Sequence, residues 1–308
     1  MSTEGSTRAI VAALAANAGI AVAKFVGFAI TGSSSMLAEG VHSVADTSNQ
    51  GLLLVGQRGA KREADKLHPF GYGRSRYFYS FVVALVIFSL GSLFALYEGV
   101  QKIRHSGDHG LDSPMVAVVI LLVAIVLESF SFHTARKESK PLKGDASWWR
   151  FIRTSRSPEL PVVLLEDAGA LIGLILALAG VGLTMLTGNA IWDGIGTLSI
   201  GVLLGLIAMV LIVEMKSLLI GEGATEEEEA ALWAVLPGQG VDRVIHMKTQ
   251  YLGPEELLVA AKIAVSPSLG AAEIAQIIDE AEGRMRGAVP QSRVIYLEPD
   301  IDRGITAS

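Results

Sequence analysis

Three ionisable side chains interrupt an apolar stretch near the N-terminus, in the segment AEGVHSVADTSNQ at residues 38–50. His42 and Asp46 are four residues apart, a spacing that stacks their side chains on one face of a helix. Glu39 lies three residues before His42, on nearly the same face. An imidazole and a carboxylate on adjacent turns can share a divalent cation, and both suit Zn²⁺ as well as Mn²⁺, Fe²⁺ or Co²⁺. Two ligands are too few, so another helix must supply more.

A second pair of acids occurs in the apolar segment PVVLLEDAGALIGLILALAG, at residues 161–180. Glu166 and Asp167 are adjacent, and adjacent side chains on a helix point about 100° apart. One of them can therefore face a cation bound by His42 and Asp46, while the other faces a second partner or a water-filled path. The glycines and alanines of this segment permit close packing against another helix.

The whole chain is unusually apolar, which indicates a membrane. Of its 308 residues 51% are hydrophobic and 18% charged, and the mean hydropathy is +0.47. Several stretches of roughly 20 or more mostly apolar residues are long enough to cross a hydrocarbon core of about 30 Å. The first of them follows little basic charge and no clear cleavage site, so we expect a membrane helix rather than a removed signal peptide. The sequence contains no cysteine, which excludes disulfides and thiolate metal sites.

We predict six membrane-spanning helices, at about 9–30, 36–57, 77–103, 113–135, 159–187 and 190–216. The connections between them alternate in charge. Residues 58–76 contain six Lys or Arg and residues 136–158 contain seven, whereas residues 104–112 contain one and the two other connections none. By the positive-inside rule the second and fourth connections and both termini face the cytoplasm, or the equivalent side of an organelle membrane. We expect the membrane to be a bacterial inner membrane.

Ionisable side chains in such spans are costly, from about 2.5 kcal/mol each at a helix centre, and therefore favour a functional interpretation. Taken singly, an acid could be a structural hydrogen-bond partner, and His42 could be a satisfied core histidine. The combination with Asp46, Glu166 and Asp167 is harder to explain as structure, because Lys24 is the only basic residue expected near mid-membrane. Lys24 could pair with one acid or extend to the membrane surface. Three other glutamates lie nearer the span ends and are expected to be solvated or paired: Glu98, Glu128 and Glu214.

The composition changes from about residue 217. TEEEEAALWAVL predicts a helix with Thr225 as its N-cap and acids at its N-terminus. VDRVIHMKTQYL and ELLVAAKIAVS predict two strands joined at Gly253-Pro254, followed by an amphipathic helix in LGAAEIAQIIDEAEGRMRG and a strand in SRVIYLEP. The order α-β-β-α-β predicts a small cytoplasmic α+β domain at 217–308, after a transmembrane domain at 1–216.

The charge of this C-terminal part bears on its partners. From residue 221 it contains 7 basic and 15 acidic residues, which argues against nucleic-acid binding. An acidic balance is compatible with cation attraction but does not require it.

Several of these features together resemble the cation diffusion facilitator family. They are HSVAD at 42–46 in the second predicted span, HPFGYGR at 68–74, the six spans and the α-β-β-α-β tail. The segments LLEDAGALIG and YLGPEELLVAAKI are similar to the branch that contains mitochondrial zinc transporter nine. The resemblance covers residues 9 to 300. It implies proton-coupled export of zinc, manganese, iron or cobalt by a homodimer, with a metallochaperone-like tail at the dimer interface.

The resemblance also implies a transport site between spans two and five. His42 and Asp46 match the span-two pair, and Asp167 matches the first span-five position. The second span-five position is Leu171, which cannot bind a metal, so Glu166 is the substitute that we expect. The tail contains His246 as its only histidine. We therefore expect the tail to serve dimerisation rather than to hold a multi-histidine zinc site.

We expect a proton-coupled antiporter for divalent cations that works by alternating access, with zinc favoured over manganese, iron and cobalt. The cation would bind His42, Asp46, Asp167 and Glu166 and leave as protons take the ligands. A cation channel that uses the same acids as a selectivity ring is the first alternative, and a non-transporting interaction partner is another.

An enzyme is disfavoured, since the sequence has no nucleophile motif, phosphate loop or cofactor fingerprint. We expect no tightly bound cofactor. The expected partners are the metal ion, protons, membrane lipid and a second copy of the chain.

Overall fold

The computed structural model describes residues 2–31, 34–104 and 114–301. Within these ranges, the side chains outside the description are those of residues 2, 3, 31, 34–42, 45, 86–88 and 114. The chain divides into two compact units, of which one consists of Met1–Gly59 and Arg76–Lys216, and the other of Ala60–Ser75 and Ser217–Ser308. The segment Ala60–Ser75, part of the transmembrane domain 1–216 in the sequence prediction, thus groups with the C-terminal residues.

The first unit is built from helices. They are α1 (Ser2–Thr31), α2 (Ser34–Ala60), α3 (Ser75–Val82), α4 (Ser89–Arg104), α5 (Pro114–Lys143), α6 (Trp148–Thr154), α7 (Glu159–Thr187) and α8 (Ile191–Ile220). A π-helical stretch, Val83–Phe88, joins α3 to α4 into one long helical segment. Helix α7 ends where Gly188 adopts a left-handed φ of 68° and donates its N–H to the Thr184 carbonyl, as glycine does after many helices.

Five helical segments among the described residues have the length and apolar composition to cross a membrane. They are Glu4–Ile30, Ser75–Arg104, Met115–Lys143, Glu159–Thr187 and Ile191–Ile220. Five of the six predicted spans are therefore confirmed by these criteria. Helix α2, with 27 residues, is also long enough to span. It is less apolar because it carries Asp46, Asn49 and Gln50.

Helix packing in this unit depends on close backbone contact. Helix α5 packs against both α1 and α7. Helices α4 and α8 approach so closely that a Cβ on Gly99 would lie 2.6 Å from the Leu198 backbone nitrogen. At the same contact Ser92 Oγ donates to the Gly201 carbonyl oxygen at 2.7 Å. Small residues thus let two membrane helices pack directly on their backbones.

A buried ion pair joins the beginnings of α3 and α7. Arg76 donates from Nε and from Nη2 to the two oxygens of Glu159, the second bond measuring 2.8 Å. The two side chains are only 6% and 1% exposed. A two-pronged contact of this kind is the strong geometry for an arginine and a carboxylate. It fixes the two helices together at one end of the bundle.

The second unit contains the predicted α-β-β-α-β sequence of elements, which is confirmed. Its elements are α9 (Glu226–Val235), β1 (Arg243–Gly253), β2 (Glu256–Ala264), α10 (Ala271–Ala288) and β3 (Ser292–Asp300). The sheet order is β1-β2-β3, with β1 antiparallel to β2 and β3 parallel to β2. The parallel pair requires a crossover, which α10 provides.

The core of this sheet domain lies between the sheet and its two helices. Leu232 of α9, Leu257 and Ile263 of β2, and Met285 of α10 are completely buried in it. Thr225 caps α9 as predicted, since its hydroxyl accepts from the Glu228 N–H and the Glu228 carboxylate accepts from the Thr225 N–H.

The segment Ala60–Ser75 is a folded turn organised by Asp65. The Asp65 carboxylate accepts hydrogen bonds from the Tyr72 hydroxyl at 2.6 Å and from the backbone N–H groups of His68 and Leu67. These donors, the Tyr72 hydroxyl first, hold the pKa of Asp65 at about 2, below its usual value. A Cβ on Gly73 would lie 3.0 Å from Gly253 Cα, so this turn rests directly on the β1–β2 connection.

We predict that Glu159→Gln destabilises the protein, because it leaves the buried Arg76 guanidinium without its carboxylate. Removing one partner of a buried ion pair costs about 3–5 kcal/mol. The measurement is the unfolding temperature of the detergent-solubilised protein. Glu282→Gln is the matched control, since Glu282 pairs with Arg286 at a partly exposed position where about 0–1 kcal/mol is expected. Equal unfolding temperatures for the two variants would contradict a stabilising role for the buried pair.

Candidate cation site

Helices α2 and α7 meet through the side chain of Glu166. One Glu166 oxygen accepts a hydrogen bond from Gln50 Nε2 at 2.7 Å and another from Asn49 Nδ2 at 3.2 Å. Asn49 and Gln50 follow Asp46 by three and four residues, which places all three on one side of α2. The Glu166 side chain is 7% exposed and is therefore held against the α2 face that carries Asp46.

Asp167 points to a different helix. It is fully buried, and one of its oxygens accepts a hydrogen bond from Ser131 Oγ of α5 at 2.7 Å. The two adjacent acids of α7 thus have separate partners, Glu166 on α2 and Asp167 on α5, as their angular separation predicts. Asn49, Gln50 and Ser131 were not identified from the sequence, because polar uncharged residues in a span carry a weaker signal than charged ones.

A cavity of about 280 Å³ lies between the helices of the first unit. Asp46 and Glu166 both line it, whereas Asp167 does not. The residues of α7 that line the cavity have helical spacing and, apart from Glu166, are small or apolar: Glu166, Gly169, Ala170, Gly173, Leu174, Ala177 and Val181. One stripe of α7 therefore faces the cavity and presents a single acid to it, with small residues beside that acid leaving open space.

Of the predicted ligands, the structure brings Asp46 and Glu166 to the same cavity and turns Asp167 toward α5. The side chains of His42 and Glu39 lie outside the described residues. Leu171 is not among the residues that line the cavity. Lys24 and Asn17 of α1 line it too, so the basic residue expected near mid-membrane lies beside the acids.

Glu128 corrects one expectation from the sequence. It is not near a span end, as predicted, but close to the middle of α5, because this helix continues from Pro114 to Lys143. It is 1% exposed and lines the cavity. The apolar run of 113–135 is shorter than the helix, and only the full helix length shows that Glu128 is central in it. The other two glutamates behave as expected, since Glu98 pairs with Lys102 and Glu214 with Arg153.

Charged side chains also line the cavity near the end of α4 and the beginning of α8. Lys102 Nζ lies 3.0 Å from an Asp193 oxygen and 3.5 Å from a Glu98 oxygen, and it donates to Thr197 Oγ1 at 3.3 Å. Lys102 is about 26 residues from Arg76 along one helical segment, or roughly 39 Å at 1.5 Å per residue. The Lys102 network and the Arg76–Glu159 pair therefore lie at opposite ends of the bundle.

The acids surround the cavity without forming a closed metal site. Among the described side chains, which exclude His42, no three His, Asp or Glu residues converge closely enough to hold a metal ion. The cavity is larger than a bare cation needs. Binding of a cation by several of these carboxylates therefore requires the helices that carry them to draw together.

Residues 10–220, which contain every residue that lines the cavity, match the family model of the cation efflux transmembrane domain. The chain belongs to the cation efflux, or cation diffusion facilitator, family. The resemblance inferred from HSVAD and HPFGYGR is confirmed by this match. The family, together with five apolar spans and the small three-stranded domain, also confirms the predicted class of fold.

This cation efflux protein is similar to named relatives. It is 32% identical over 264 residues to the mitochondrial proton-coupled zinc antiporter SLC30A9 of Homo sapiens, covering 84% of this chain and 46% of the human protein. It is 33% identical over 263 residues to Metal tolerance protein C4 of Arabidopsis thaliana, covering 84% of this chain and 57% of the plant protein. The chain thus spans about half the length of these relatives.

A bacterial relative is more distant but comparable in length. The magnetosome protein MamB of Paramagnetospirillum magneticum is 22% identical over 272 residues, covering 87% of this chain and 85% of MamB.

The similarity to SLC30A9 proteins confirms the branch of the cation efflux family that the sequence resembles.

We predict that Gln50→Leu weakens binding of divalent cations, because it removes the shorter of the two hydrogen bonds that orient Glu166. Loss of a partner that orients a metal ligand typically lowers metal affinity by about 10–100-fold. The measurement is calorimetric zinc titration of the purified protein. Gln57→Leu is the matched control. Gln57 is a buried glutamine on the same helix, but it accepts from Thr7 at 2.9 Å and does not contact Glu166. Equal affinities of the two variants would show that Gln50 does not orient a ligand.

Proposed function

We propose that this cation efflux protein is a proton-coupled antiporter that exports a divalent cation, zinc first, through a site between α2 and α7. The observation that carries the proposal is the convergence of Asp46 and Glu166, from two membrane helices, on one cavity inside the region that matches the family model. Acids buried in a membrane-spanning bundle, with hydrogen-bond donors arranged around one of them, are typical of an ion pathway.

The transported cation would be bound by Asp46, Glu166 and His42. Asp167, the fourth predicted ligand, faces Ser131 of α5 instead of the cavity. Carboxylate oxygens and an imidazole nitrogen suit zinc, and also manganese, iron and cobalt. Zinc is placed first because the printed name of SLC30A9 is that of a zinc antiporter. Manganese, iron or cobalt export by the same mechanism is the alternative.

Alternating access supplies the transport step. The cavity runs from Glu166 toward the Lys102 network, whereas the opposite end of the bundle is held together by the Arg76–Glu159 pair. By the positive-inside rule, α3 and α7 begin on the cytoplasmic side. We therefore interpret this arrangement as the outward-facing state. Export would require the α3 and α7 ends to separate so that a cation can enter from the cytoplasm.

Proton coupling follows from competition for the same ligands. A carboxylate or an imidazole must lose its proton to bind a metal, so cation release to the outside and proton uptake are linked. The name of the SLC30A9 relatives supports this coupling. Protons returning down their gradient would then drive export.

The assembly and placement of the protein complete the proposal. We propose a homodimer in which the domain at 217–308 serves dimerisation, with both termini cytoplasmic and no enzymatic activity. A bacterial inner membrane is the location that we propose.

The test is zinc-driven proton movement in proteoliposomes that hold a pH-sensitive dye, with manganese, iron and cobalt supplied separately. We predict saturable counter-movement of protons in the wild type. Asp46→Asn and Glu166→Gln should reduce the rate of proton movement at least about tenfold. Loss of a residue that only orients a ligand already costs about tenfold, and loss of the ligand itself should cost no less. Glu214→Gln is the matched control, because Glu214 pairs with Arg153 and does not line the cavity.

Each other outcome has a defined meaning. Metal flux without proton movement would favour a channel. Wild-type rates in Asp46→Asn and Glu166→Gln would place the site elsewhere in the protein. Absence of flux for all four metals would favour a non-transporting role.

A further inference from the structure

Glu128 is an acid that the site between α2 and α7 does not use. It lies close to the middle of α5, which packs between α1 and α7. Its side chain is 1% exposed, and it lines the same cavity as Asp46 and Glu166. Asp46, Glu128 and Glu166 thus come from three different helices to one cavity, which Glu98 and Asp193 also line near Lys102.

The surroundings of Glu128 differ from those of the other buried acids. Glu159 is paired with Arg76, Glu166 accepts from Gln50, and Asp167 accepts from Ser131. Neither oxygen of Glu128 has a hydrogen-bond partner of good geometry among the described residues, and its carboxyl group lies against that of another acid, Asp167. Its strongest electrostatic neighbours are the carboxyl groups of Asp167, Glu166 and Asp46.

Such an arrangement does not stabilise the folded protein. A buried carboxyl group whose nearest polar partner is another acid loses its hydration, and the acidic neighbours make its charge still less favourable. An apolar side chain of the same size would stabilise α5 better. The arrangement becomes favourable when a cation enters the cavity, because the unused oxygens and the surrounding negative charge then act on that cation.

The number of available ligands supports the same conclusion. Zinc takes four protein or water ligands in most sites, and manganese accepts more. Asp46 and Glu166 line the cavity, and the sequence adds His42, four residues before Asp46, as the third expected donor. Asp167 faces Ser131 and does not line the cavity. Of the further acids that line the cavity, Glu98 and Asp193 are paired with Lys102, which leaves Glu128.

We propose that Glu128 of α5 is a ligand of the transported divalent cation, so that the site is shared by three helices, α2, α5 and α7. This inference rests on the proposed transport function. With Asp46 and Glu166 it provides three carboxylates beside one imidazole, a set rich in oxygen. Oxygen ligands suit manganese better than nitrogen ligands do, so Glu128 would allow manganese to compete with zinc.

A structural role for Glu128 is the competing explanation, in which its carboxyl group shares a proton with Asp167 and positions it. The two roles respond differently to Glu128→Gln. Glutamine keeps the size of the side chain and can donate a hydrogen bond to Asp167, so a positioning role would survive the change. A ligand role would not, because an amide binds a divalent cation much more weakly than a carboxylate.

The experiment is zinc and manganese titration of the full-length purified protein by calorimetry, with transport in proteoliposomes measured in parallel. We expect Glu128→Gln to weaken zinc binding at least about tenfold. The unfolding temperature should not fall, because an unpaired buried acid has been removed. Glu128→His should restore zinc binding and reduce manganese binding relative to zinc, since it exchanges an oxygen ligand for nitrogen. Glu214→Gln should match the wild type for both metals.

Several results would overturn the inference. One is unchanged zinc affinity in Glu128→Gln. Another is an equal loss for both metals in Glu128→Gln and Glu128→His together with a lower unfolding temperature, which would indicate a structural role. Failure of the wild type to move zinc would count against the proposed transport function. The binding titration would still decide whether Glu128 is a ligand.

Discussion

Negative charge inside a membrane-spanning helical bundle must be compensated, and this requirement explains the arrangement of the first unit. Among its described side chains four acids are buried at positions where water cannot stabilise a carboxylate: Glu128, Glu159, Glu166 and Asp167. Glu159 obtains compensation from a buried arginine. The other three lie close to the cavity, where hydrogen bonds from neutral donors stabilise two of them but cancel no charge. Lys24 also lines the cavity, but a single basic residue leaves a surplus of negative charge that a metal ion or protons can compensate.

The same requirement connects the ends of the bundle to its centre. At one end Arg76 and Glu159 neutralise each other and hold α3 to α7. At the other, Lys102 lies between Asp193 and Glu98 and so compensates one of the two negative charges that line that end of the cavity. Between them, Asn49, Gln50 and Ser131 orient Glu166 and Asp167 without adding positive charge. A bundle with a neutral pair at one end and more acids than bases along its cavity attracts cations to that cavity.

Much of this could be predicted from the sequence, because hydropathy and element order depend on local composition. Five apolar spans, the α-β-β-α-β domain and the Thr225 cap required only periodicity and residue type. The direction of each buried acid could not be predicted, since a 100° separation does not say whether Glu166 or Asp167 faces α2. Glu128 was placed wrongly because the apolar run ends before the helix does. The packing of Gly73 on Gly253 joins residues 180 positions apart, for which no local pattern exists.

The most direct test of this account is the number of protons released when zinc binds. It is obtained by titrating the purified protein with zinc in buffers of different ionisation enthalpy. If the central acids are compensated by protons until a metal replaces them, zinc binding to the wild type releases about one proton or more per ion. Glu166→Gln should then bind zinc more weakly and release fewer protons. Zinc binding to the wild type without proton release, or identical release in Glu166→Gln, would contradict the account.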